Sequence, residues 1–255
     1  APVHRCNLRC RYCFAGSGAN YACPEKHMDQ SCLEEVLRFT LREYCPDCTF
    51  LQISLVSGGE PFLNLGVLRN LQELVRKYKD PIQTKIFIAT NGTLYDDSIR
   101  EDLLAINPQL GVSIDGPEAF QDRNRVYADG GGTYGDVVQT IRRIKADESL
   151  PPITKNFIFM TVLTPSNLDL VQIIRHHRML GATSIQIKVA RSTRYREEGV
   201  HAENIEQYKA AYEELDRFFK EEFAQKKYDH LMLVLNGIDT YGKILQKLIL
   251  RRPSP

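Results

Sequence analysis

The sequence predicts an α/β fold in which short buried strands alternate with amphipathic helices. The predicted strands are apolar runs at residues 51–56, 85–89, 110–114, 156–163 and 184–189. Helical patterns occur at residues 29–44, 65–79, 96–106, 134–147 and 168–180. This alternation indicates a parallel sheet with right-handed crossovers. We therefore expect a closed or partly closed α/β barrel, with both faces of each strand buried and ligands at the C-terminal strand ends.

Composition and charge restrict the class of protein. The chain has 255 residues, of which 43% are hydrophobic, and this suits one substantial domain with a buried core. Its formal net charge of +1 predicts no general attraction to nucleic acid or acidic membranes. No apolar run approaches the ~18 residues that span a bilayer, and no signal peptide is recognisable. We expect a reducing, cytoplasmic location.

Near the start of the chain, three cysteines share one short loop. Cys6, Cys10 and Cys13 have the spacing C-x3-C-x2-C, and the intervening Arg9 and Arg11 argue against a packed apolar segment. Three thiolates can hold three corners of a cubic 4Fe-4S cluster and leave the fourth iron open. An open iron can bind and activate a small molecule.

Zinc is the alternative metal that the same thiols could bind. A zinc site needs a fourth ligand, which His4 or a later cysteine could provide, but such sites usually present paired C-x2-C units. Disulfides are disfavoured because the chain has seven cysteines, an odd number, and is too large to need such crosslinks. The spacing therefore favours a cluster.

The first predicted strand ends in a Gly-Gly-Glu-Pro run at residues 58–61. The alternating apolar residues Leu51, Ile53 and Leu55 stop there, as they also would at a simple strand-to-helix turn. Glycines let a ligand approach the main chain, and proline fixes the turn. Glu60 can accept hydrogen bonds from an ammonium group.

The next two predicted strands end in further polar motifs. Ala-Thr-Asn-Gly occupies residues 89–92, Val-Ser-Ile-Asp-Gly-Pro occupies 112–117, and Asp-Arg-Asn-Arg follows at 122–125. Together with the cysteine loop, where Tyr12 precedes the third cysteine, these motifs resemble those of the radical S-adenosylmethionine (radical SAM) enzymes. The resemblance covers essentially the whole chain. The last two motifs resemble those of the subgroup that modifies peptides and proteins and usually carries a SPASM domain.

The resemblance implies an incomplete (β/α)6 barrel, a partial TIM-like barrel with outer helices. Its first strand would end near Pro2 and Val3, so most of that strand is expected to be missing from this chain. We expect residues 1–235 to form the radical SAM core. Residues 236–255, with a helical pattern at 238–250, are expected to lead towards a SPASM or twitch domain with auxiliary clusters, which this sequence does not contain.

The resemblance also implies a role for each motif residue. A 4Fe-4S cluster on Cys6, Cys10 and Cys13 would bind the amino and carboxylate groups of S-adenosylmethionine. Reductive cleavage would then yield methionine and a 5'-deoxyadenosyl radical. The implied cofactor-binding positions are Tyr12 beside the adenine; Gly58, Gly59 and Glu60 at the methionine amino group, with Pro61 shaping the turn; Asn91, Ser113 and Asp115 near the ribose and methionine; Arg125 on the carboxylate; and Ile185 over the adenine.

The implied substrate is a ribosomal peptide or protein side chain, from which hydrogen abstraction would form a thioether or carbon-carbon crosslink. Anaerobic sulfatase maturation, which oxidises a cysteine or serine to formylglycine, is the nearest alternative. An alternative of another class is a non-catalytic peptide-binding or zinc-binding module on the same barrel. A low-potential electron donor of the flavodoxin or ferredoxin type is the implied redox partner.

The remaining cysteines and a histidine pair have simpler interpretations. Cys45 and Cys48 form a C-x2-C pair away from the expected strand ends, and an incidental or locally redox-active pair is favoured over a second cluster site. Cys23 and Cys32 are expected to be packing or surface residues. The two histidines at 176–177 are flanked by arginines and are expected on a solvated helix face.

Overall fold

The computed structural model describes residues 3–16, 27–56, 58–191, 196–231 and 234. Five parallel strands form one sheet in chain order. The sheet curls into a half-barrel with helices around it, so the predicted α/β partial barrel is confirmed. The strands are β1 Phe50–Leu55, β2 Gln83–Thr90, β3 Gln109–Ser113, β4 Ile158–Leu163 and β5 Ser184–Val189.

The register aligns the C-terminal ends of the first strands. Leu55 ends β1 beside Ile88 of β2, and Thr90 ends β2 beside Val112 of β3. The polar motifs that follow these strands therefore meet at one edge of the sheet. This is the edge at which the alternating pattern places ligands.

The helices alternate with the strands, and several begin at an aspartate cap. Asp29, Asp96 and Asp169 each accept a hydrogen bond from a backbone N–H group in the first turn. The α-helices are α1 Gln30–Arg38, α2 Leu71–Tyr78, α3 Asp97–Ile106, α4 Glu118–Asn124, α5 Tyr134–Ala146, α6 Pro152–Lys155, α7 Leu170–Met179 and α8 Ile205–Ala224. A π-helix spans Phe39–Tyr44, and 3-10 helices span Pro61–Leu68 and Arg196–Glu198.

Several helix predictions differ in detail from the structure. The predicted helix at 29–44 is α1 followed by the π-helix, and the one at 65–79 is a 3-10 helix followed by α2. Helices α4, α6 and α8 are not among the predicted ones. The first two are too short to show a period, since they have seven and four residues. Helix α8 does carry a signal, because its buried residues recur at helical spacing: Tyr208, Ala211, Leu215 and Phe218.

The core lies between the central strands and their covering helices. Ile88, Leu110 and Phe159 are fully buried on β2, β3 and β4. The prediction that every strand is buried on both faces is wrong for β1, where Gln52 and Ser54 are exposed. The physical reason is position, since β1 lies at one end of the sheet. No helix in the described ranges is long and apolar enough to cross a membrane.

His176 and His177 of α7 are buried, so the predicted solvated face is wrong. His177 Nε2 lies 2.8 Å from Thr161 Oγ1, which donates to the Ile114 carbonyl at 2.8 Å. His176 Nε2 lies 2.8 Å from the Tyr134 hydroxyl. Burial lowers the pKa of His176 to about 4 and that of His177 to about 3. Both rings are therefore neutral at neutral pH, and polar partners on β4 and α5 make their burial tolerable.

Two sequence predictions fall outside the described residues. These are the assignment of Cys23 as a packing or surface residue and the C-terminal segment 236–255, with its helical pattern at 238–250. Cys32 is exposed on α1, as expected. Val3, where the first strand was expected to end, makes an isolated antiparallel bridge with His27.

Candidate active site

The cysteine loop is held against the last residue of α4 and the chain that follows this helix. Arg9 N–H donates to the Val126 carbonyl at 2.7 Å, and Arg11 N–H donates to the Asn124 carbonyl at 2.9 Å. Within the loop, Cys13 N–H donates to the Cys10 carbonyl at 3.0 Å. These main-chain bonds fix a short loop that has little regular structure of its own.

The three loop cysteines are partly buried and are thiols rather than members of disulfide bonds. Burial raises the pKa of Cys10 to about 12 and also raises the pKa of Cys6. Without a metal, these two thiols therefore keep their protons at neutral pH, and metal binding would release them. Among the described residues, no three Cys, His, Asp or Glu side chains converge as ligands of a single ion.

The Gly-Gly-Glu turn after β1 packs directly on the chain that enters this loop. Gly59 N–H donates to the Val3 carbonyl at 3.2 Å, and Glu60 N–H donates to the Arg5 carbonyl at 2.8 Å. A Cβ atom on Gly59 would lie 1.9 Å from the Arg5 carbonyl oxygen, far inside van der Waals contact. Glycine is therefore needed here so that the turn can pack against the backbone at Arg5. The sequence pattern predicted that the glycines make room for a ligand and missed this reason.

Glu60 is buried, with 2% of its surface exposed, and its carboxylate joins the ends of β1 and β2. Oε1 accepts hydrogen bonds from Phe62 N–H at 3.1 Å and from the Thr90 hydroxyl at 2.6 Å. Oε2 accepts from Asn91 N–H at 2.7 Å. Burial raises the pKa of Glu60 to about 7, although these hydrogen bonds oppose the shift. The carboxylate is oriented by neutral donors and would gain from a cation.

Asn91 connects the end of β2 to the cysteine loop. Its Nδ2 donates to Asn7 Oδ1 at 2.8 Å and approaches Cys6 Sγ at 3.7 Å. Its Oδ1 accepts from the Thr93 N–H and hydroxyl groups, and Asn7 Nδ2 returns a bond to the Thr93 hydroxyl. Hydrogen bonds to cysteine sulfur influence the reduction potential of an iron-sulfur cluster. Asn91 is thus placed to affect the Cys6 thiol, and its role towards the cofactor stays a prediction.

Asp115, Tyr12 and Arg125 form a buried contact at the end of β3. The Tyr12 hydroxyl donates to Asp115 Oδ2 at 2.6 Å. Arg125 donates from Nε to Oδ2 at 3.0 Å and from Nη2 to Oδ1 at 3.2 Å. The Arg125 guanidinium also lies 5.3 Å from the centre of the Tyr12 ring. Burial alone would lower the pKa of Arg125, but the nearby Asp115 raises it, so the guanidinium stays charged.

Residues that sequence reasoning did not assign hold this contact in place. Gln121 accepts the Asp115 N–H through Oε1 at 2.8 Å and donates to the Thr133 hydroxyl at 3.1 Å. That hydroxyl donates to the Arg125 carbonyl at 2.9 Å. Asn167 donates to the Asp115 carbonyl at 3.4 Å. No local pattern marks Gln121 or Asn167, because each acts through a partner on another element.

A family model for the radical SAM superfamily matches residues 1–177. The chain belongs to the radical SAM superfamily. One similar curated protein is the serine-type anaerobic sulfatase-maturating enzyme of Bacteroides thetaiotaomicron, which is 34% identical over 143 residues. That match covers 55% of this chain and 34% of the relative. The chain therefore spans about a third of the length of this relative.

Two solved structures show the same fold. The native enzyme anSMEcpe with bound AdoMet and the Kp18Cys peptide superposes with a TM-score of 0.76 and 22% identity, covering 100% of this chain and 66% of that one. Streptococcus suis SuiB bound to the precursor peptide SuiA gives a TM-score of 0.59 and 15% identity. That match covers 87% of this chain and 45% of SuiB. These similarities support the barrel and leave the reaction to chemical argument.

The residues present fit the iron-sulfur cluster and S-adenosylmethionine that characterise radical SAM proteins. Three thiols lie on one loop, and the other described cysteines, Cys32, Cys45 and Cys48, lie on α1 and on the turn before β1. A cluster held by three cysteines keeps one iron for a small-molecule ligand. Glu60, with neutral donors around a buried carboxylate, suits a cationic group of that ligand.

The structure brings most predicted site residues of this radical SAM chain to one edge of the sheet. The loop residues, the Gly-Gly-Glu turn, Asn91 and Asp115 are linked by the hydrogen bonds above, and Ser113 ends β3 at the same edge. Ile185 is not part of this group. It is the second residue of β5, fully buried and four residues before the end of that strand. Its contact with adenine stays a prediction.

Proposed function

We propose that the chain is the catalytic part of a radical SAM enzyme that modifies a side chain of a peptide or protein. The observation that carries this proposal is the physical connection between the cysteine loop and three strand-end motifs. Glu60 N–H bonds the chain entering the loop, Asn91 contacts Cys6, and Asp115 holds Tyr12. A barrel that had lost its reaction would have no need to keep all of these contacts together.

When bound, the cluster and S-adenosylmethionine supply a 5'-deoxyadenosyl radical, which removes a hydrogen atom from an unactivated carbon. The chain's own residues bind and orient these groups. Cys6, Cys10 and Cys13 would hold three irons of the cluster, and Glu60 would accept hydrogen bonds from the methionine ammonium group. Asn91 donates towards the Cys6 sulfur. A low-potential protein donor of the flavodoxin or ferredoxin type would supply the electron.

Arg125 and Tyr12 are proposed to set the opposite wall of the site. Asp115 uses two N–H groups of Arg125, and this contact fixes the direction in which the guanidinium faces. The cofactor carboxylate would meet a cation that is already positioned and desolvated. Tyr12 is held by the same carboxylate, so its ring can present a flat surface to the adenine.

The similar proteins support a peptide or protein substrate. The curated relative matures sulfatases, and both solved structures include a bound peptide. Crosslink formation is the reaction that the resemblance to peptide maturases implies. Formylglycine formation is the second candidate, because the relative with 34% identity is a sulfatase-maturating enzyme.

The activity is tested by anaerobic reconstitution with iron and sulfide, followed by dithionite and S-adenosylmethionine. We expect release of 5'-deoxyadenosine and methionine. The Cys10→Ala variant should release neither, whereas Cys32→Ala, which removes an exposed cysteine on α1, should behave as wild type. Equal release by the Cys10 variant and wild type would contradict the proposal.

Mass spectrometry of a co-expressed cysteine-containing peptide distinguishes the two reactions. A crosslink removes two hydrogen atoms, retains sulfur and leaves no group that reacts with a hydrazide. Formylglycine formed from cysteine loses the sulfur and is tagged by the hydrazide. An unmodified peptide, with 5'-deoxyadenosine still released, would keep the radical SAM assignment and reject that peptide as the substrate.

A further inference from the structure

The C-x2-C pair lies on a tight turn between the π-helix and β1. Cys48 N–H donates to the Cys45 carbonyl at 3.2 Å, which is the hydrogen bond of a β-turn with Pro46 and Asp47 at its centre. Such a turn keeps its first and fourth Cα atoms within about 7 Å. Disulfide bonds join Cα atoms about 4.4 to 6.8 Å apart. The backbone of this turn is therefore already suited to a bond between the two sulfurs.

The two thiols are close to each other and differ in accessibility. Partial desolvation and a hydrogen bond with the Cys48 thiol raise the pKa of Cys45, whereas the charge of Lys79 lowers it. Cys45 is exposed, and Cys48 is half-buried against the hydrophobic core. An exposed sulfur can be reached by a small reagent, and a partly covered neighbour can then complete an intramolecular bond.

A cationic cleft borders the turn. Its volume is about 480 Å³, and its lining includes Pro46 of the turn with Arg42, Arg76, Lys77 and Lys79. Lys79 Nζ donates to the Pro46 carbonyl, so the cleft and the turn are in direct contact. One carboxylate, from Asp80, also lines the cleft. Positive charge predominates and favours an anionic reagent near the pair.

We propose that Cys45 and Cys48 form a dithiol-disulfide exchange site, separate from the cluster, whose co-reactant is an anionic low-molecular-weight disulfide. The Cys45 thiol first loses its proton, and the resulting thiolate attacks one sulfur of the co-reactant RS–SR. The S–S bond of the co-reactant breaks, and the released RS⁻ takes up a proton in place of the one that Cys45 lost. The Cys48 thiolate then attacks the Cys45 sulfur of the mixed disulfide. The bond between Cys45 and the SR group breaks, and the second RS⁻ leaves and takes up a proton. The net change oxidises two protein thiols to one disulfide and reduces RS–SR to two RSH.

The pair and the cysteine loop lie at opposite ends of β1. The turn at 45–48 precedes Phe50, and the Gly-Gly-Glu turn follows Leu55. A six-residue strand separates its ends by about 20 Å. Exchange at Cys45 and Cys48 is therefore independent of the cluster ligands and of the proposed radical SAM function.

The test uses the full chain, equilibrated anaerobically over a series of ratios of glutathione to glutathione disulfide, alkylated and digested with trypsin. Cleavage after Arg42 and Arg69 gives a peptide, 43–69, whose cysteines are Cys45 and Cys48. We expect this peptide to lose two hydrogen atoms, to carry no glutathione and to be restored by dithiothreitol. The peptide 27–38, which contains Cys32, is the internal control and should form no internal bond.

Variants separate the two chemical steps. In Cys48→Ser, Cys45 should accumulate as a mixed disulfide with glutathione, because the second attack is lost. Three outcomes would overturn the proposal. The wild-type peptide could remain a dithiol at every ratio, it could carry two glutathione groups, or it could be bonded to Cys23 or Cys32 instead.

The charge of the co-reactant is tested by comparing rates with glutathione disulfide and with cystamine, a cationic disulfide. At low ionic strength we expect glutathione disulfide to oxidise the pair faster. Arg42→Gln should reduce that preference by roughly two- to threefold, while Arg217→Gln on the exposed face of α8 should leave it unchanged. A preference for cystamine, or equal rates in wild type, would overturn the assignment of an anionic co-reactant.

Discussion

Glu60 and Asp115 are both buried carboxylates that follow strands of the same sheet, but their partners differ. The hydrogen bonds described for Glu60 come from two backbone N–H groups and a hydroxyl, all neutral. Asp115 accepts from Tyr12, from a backbone N–H group at Val162 and from the guanidinium of Arg125. Glu60 is oriented by neutral donors, with the Arg125 charge acting on it only weakly, whereas Asp115 pairs with Arg125 directly.

This difference suits Glu60 to bind a ligand and Asp115 to hold neighbouring side chains in place. A buried carboxylate with only neutral donors is costly to ionise, and a cationic ligand group lowers that cost. A carboxylate paired with arginine has no such demand and is better suited to fix the position of its partners. We therefore interpret the end of β1 as the place where the proposed cofactor's ammonium group binds, and the end of β3 as the frame that positions Tyr12 and Arg125.

Gly59→Ala, at the β1 end of this comparison, is expected to have the largest effect. The new Cβ would meet the Arg5 carbonyl at 1.9 Å, so the turn and the chain entering the cysteine loop must separate. We expect reconstituted iron to fall to background, measured by iron and sulfide analysis. Gly66→Ala is the matched control, because its Cβ would meet no atom closer than 3.8 Å. Equal iron content in the two variants would show that the close approach is not required.

Asp115→Asn tests the supporting role of the β3 end. The substitution leaves the Arg125 charge buried and without its carboxylate, which should lower the free energy of unfolding by about 3–5 kcal/mol. Urea denaturation of the reconstitutable chain measures the change. Glu101→Gln, which removes the exposed partner of Arg100, should have little effect. If the free energy of unfolding falls by the same small amount in both variants, the Asp115–Arg125 pair does not support the site.

The raised pKa of Glu60 predicts a pH dependence of stability before any ligand is bound. Its pKa is about 7 in the folded chain against a reference value of 4.5. Between these values the folded state holds the extra proton, so stability falls as pH rises. The contribution, about 3 kcal/mol, is fully present below pH 4.5 and lost above pH 7. Glu60→Gln should remove this slope from a series of denaturation curves, and parallel curves for the two proteins would contradict it.

The smallest expected effect concerns ligand affinity. Under the proposed function, Glu60→Gln removes a charged hydrogen bond to the methionine ammonium group, worth about 1.5–3 kcal/mol. At about pH 8, where Glu60 is ionised, S-adenosylmethionine should bind the reconstituted variant roughly 10- to 100-fold more weakly. Anaerobic calorimetry measures this, with Glu73→Gln on α2 as control. Unchanged affinity would remove Glu60 from the binding role while leaving the barrel assignment intact.

Local patterns in the sequence were sufficient for the strands and for the motifs at their ends. Strand 184–189 matches β5 residue for residue, and the other four predicted strands overlap the observed ones within two residues at each end. The cysteine spacing and the Gly-Gly-Glu-Pro run also need only neighbouring residues to be recognised. Apolar periodicity predicts burial well, because apolar side chains leave water whatever they pack against.

The tertiary structure alone decided which polar groups are buried together. Tyr12 meets Asp115 across 103 positions of sequence, and His177 finds Thr161 on a different element. Gly59 is a similar case, because the Arg5 carbonyl, which the fold brings near, leaves no room for a side chain at this position. A polar residue can be buried only where a partner satisfies it, and that partner is brought near by the fold rather than by the local sequence.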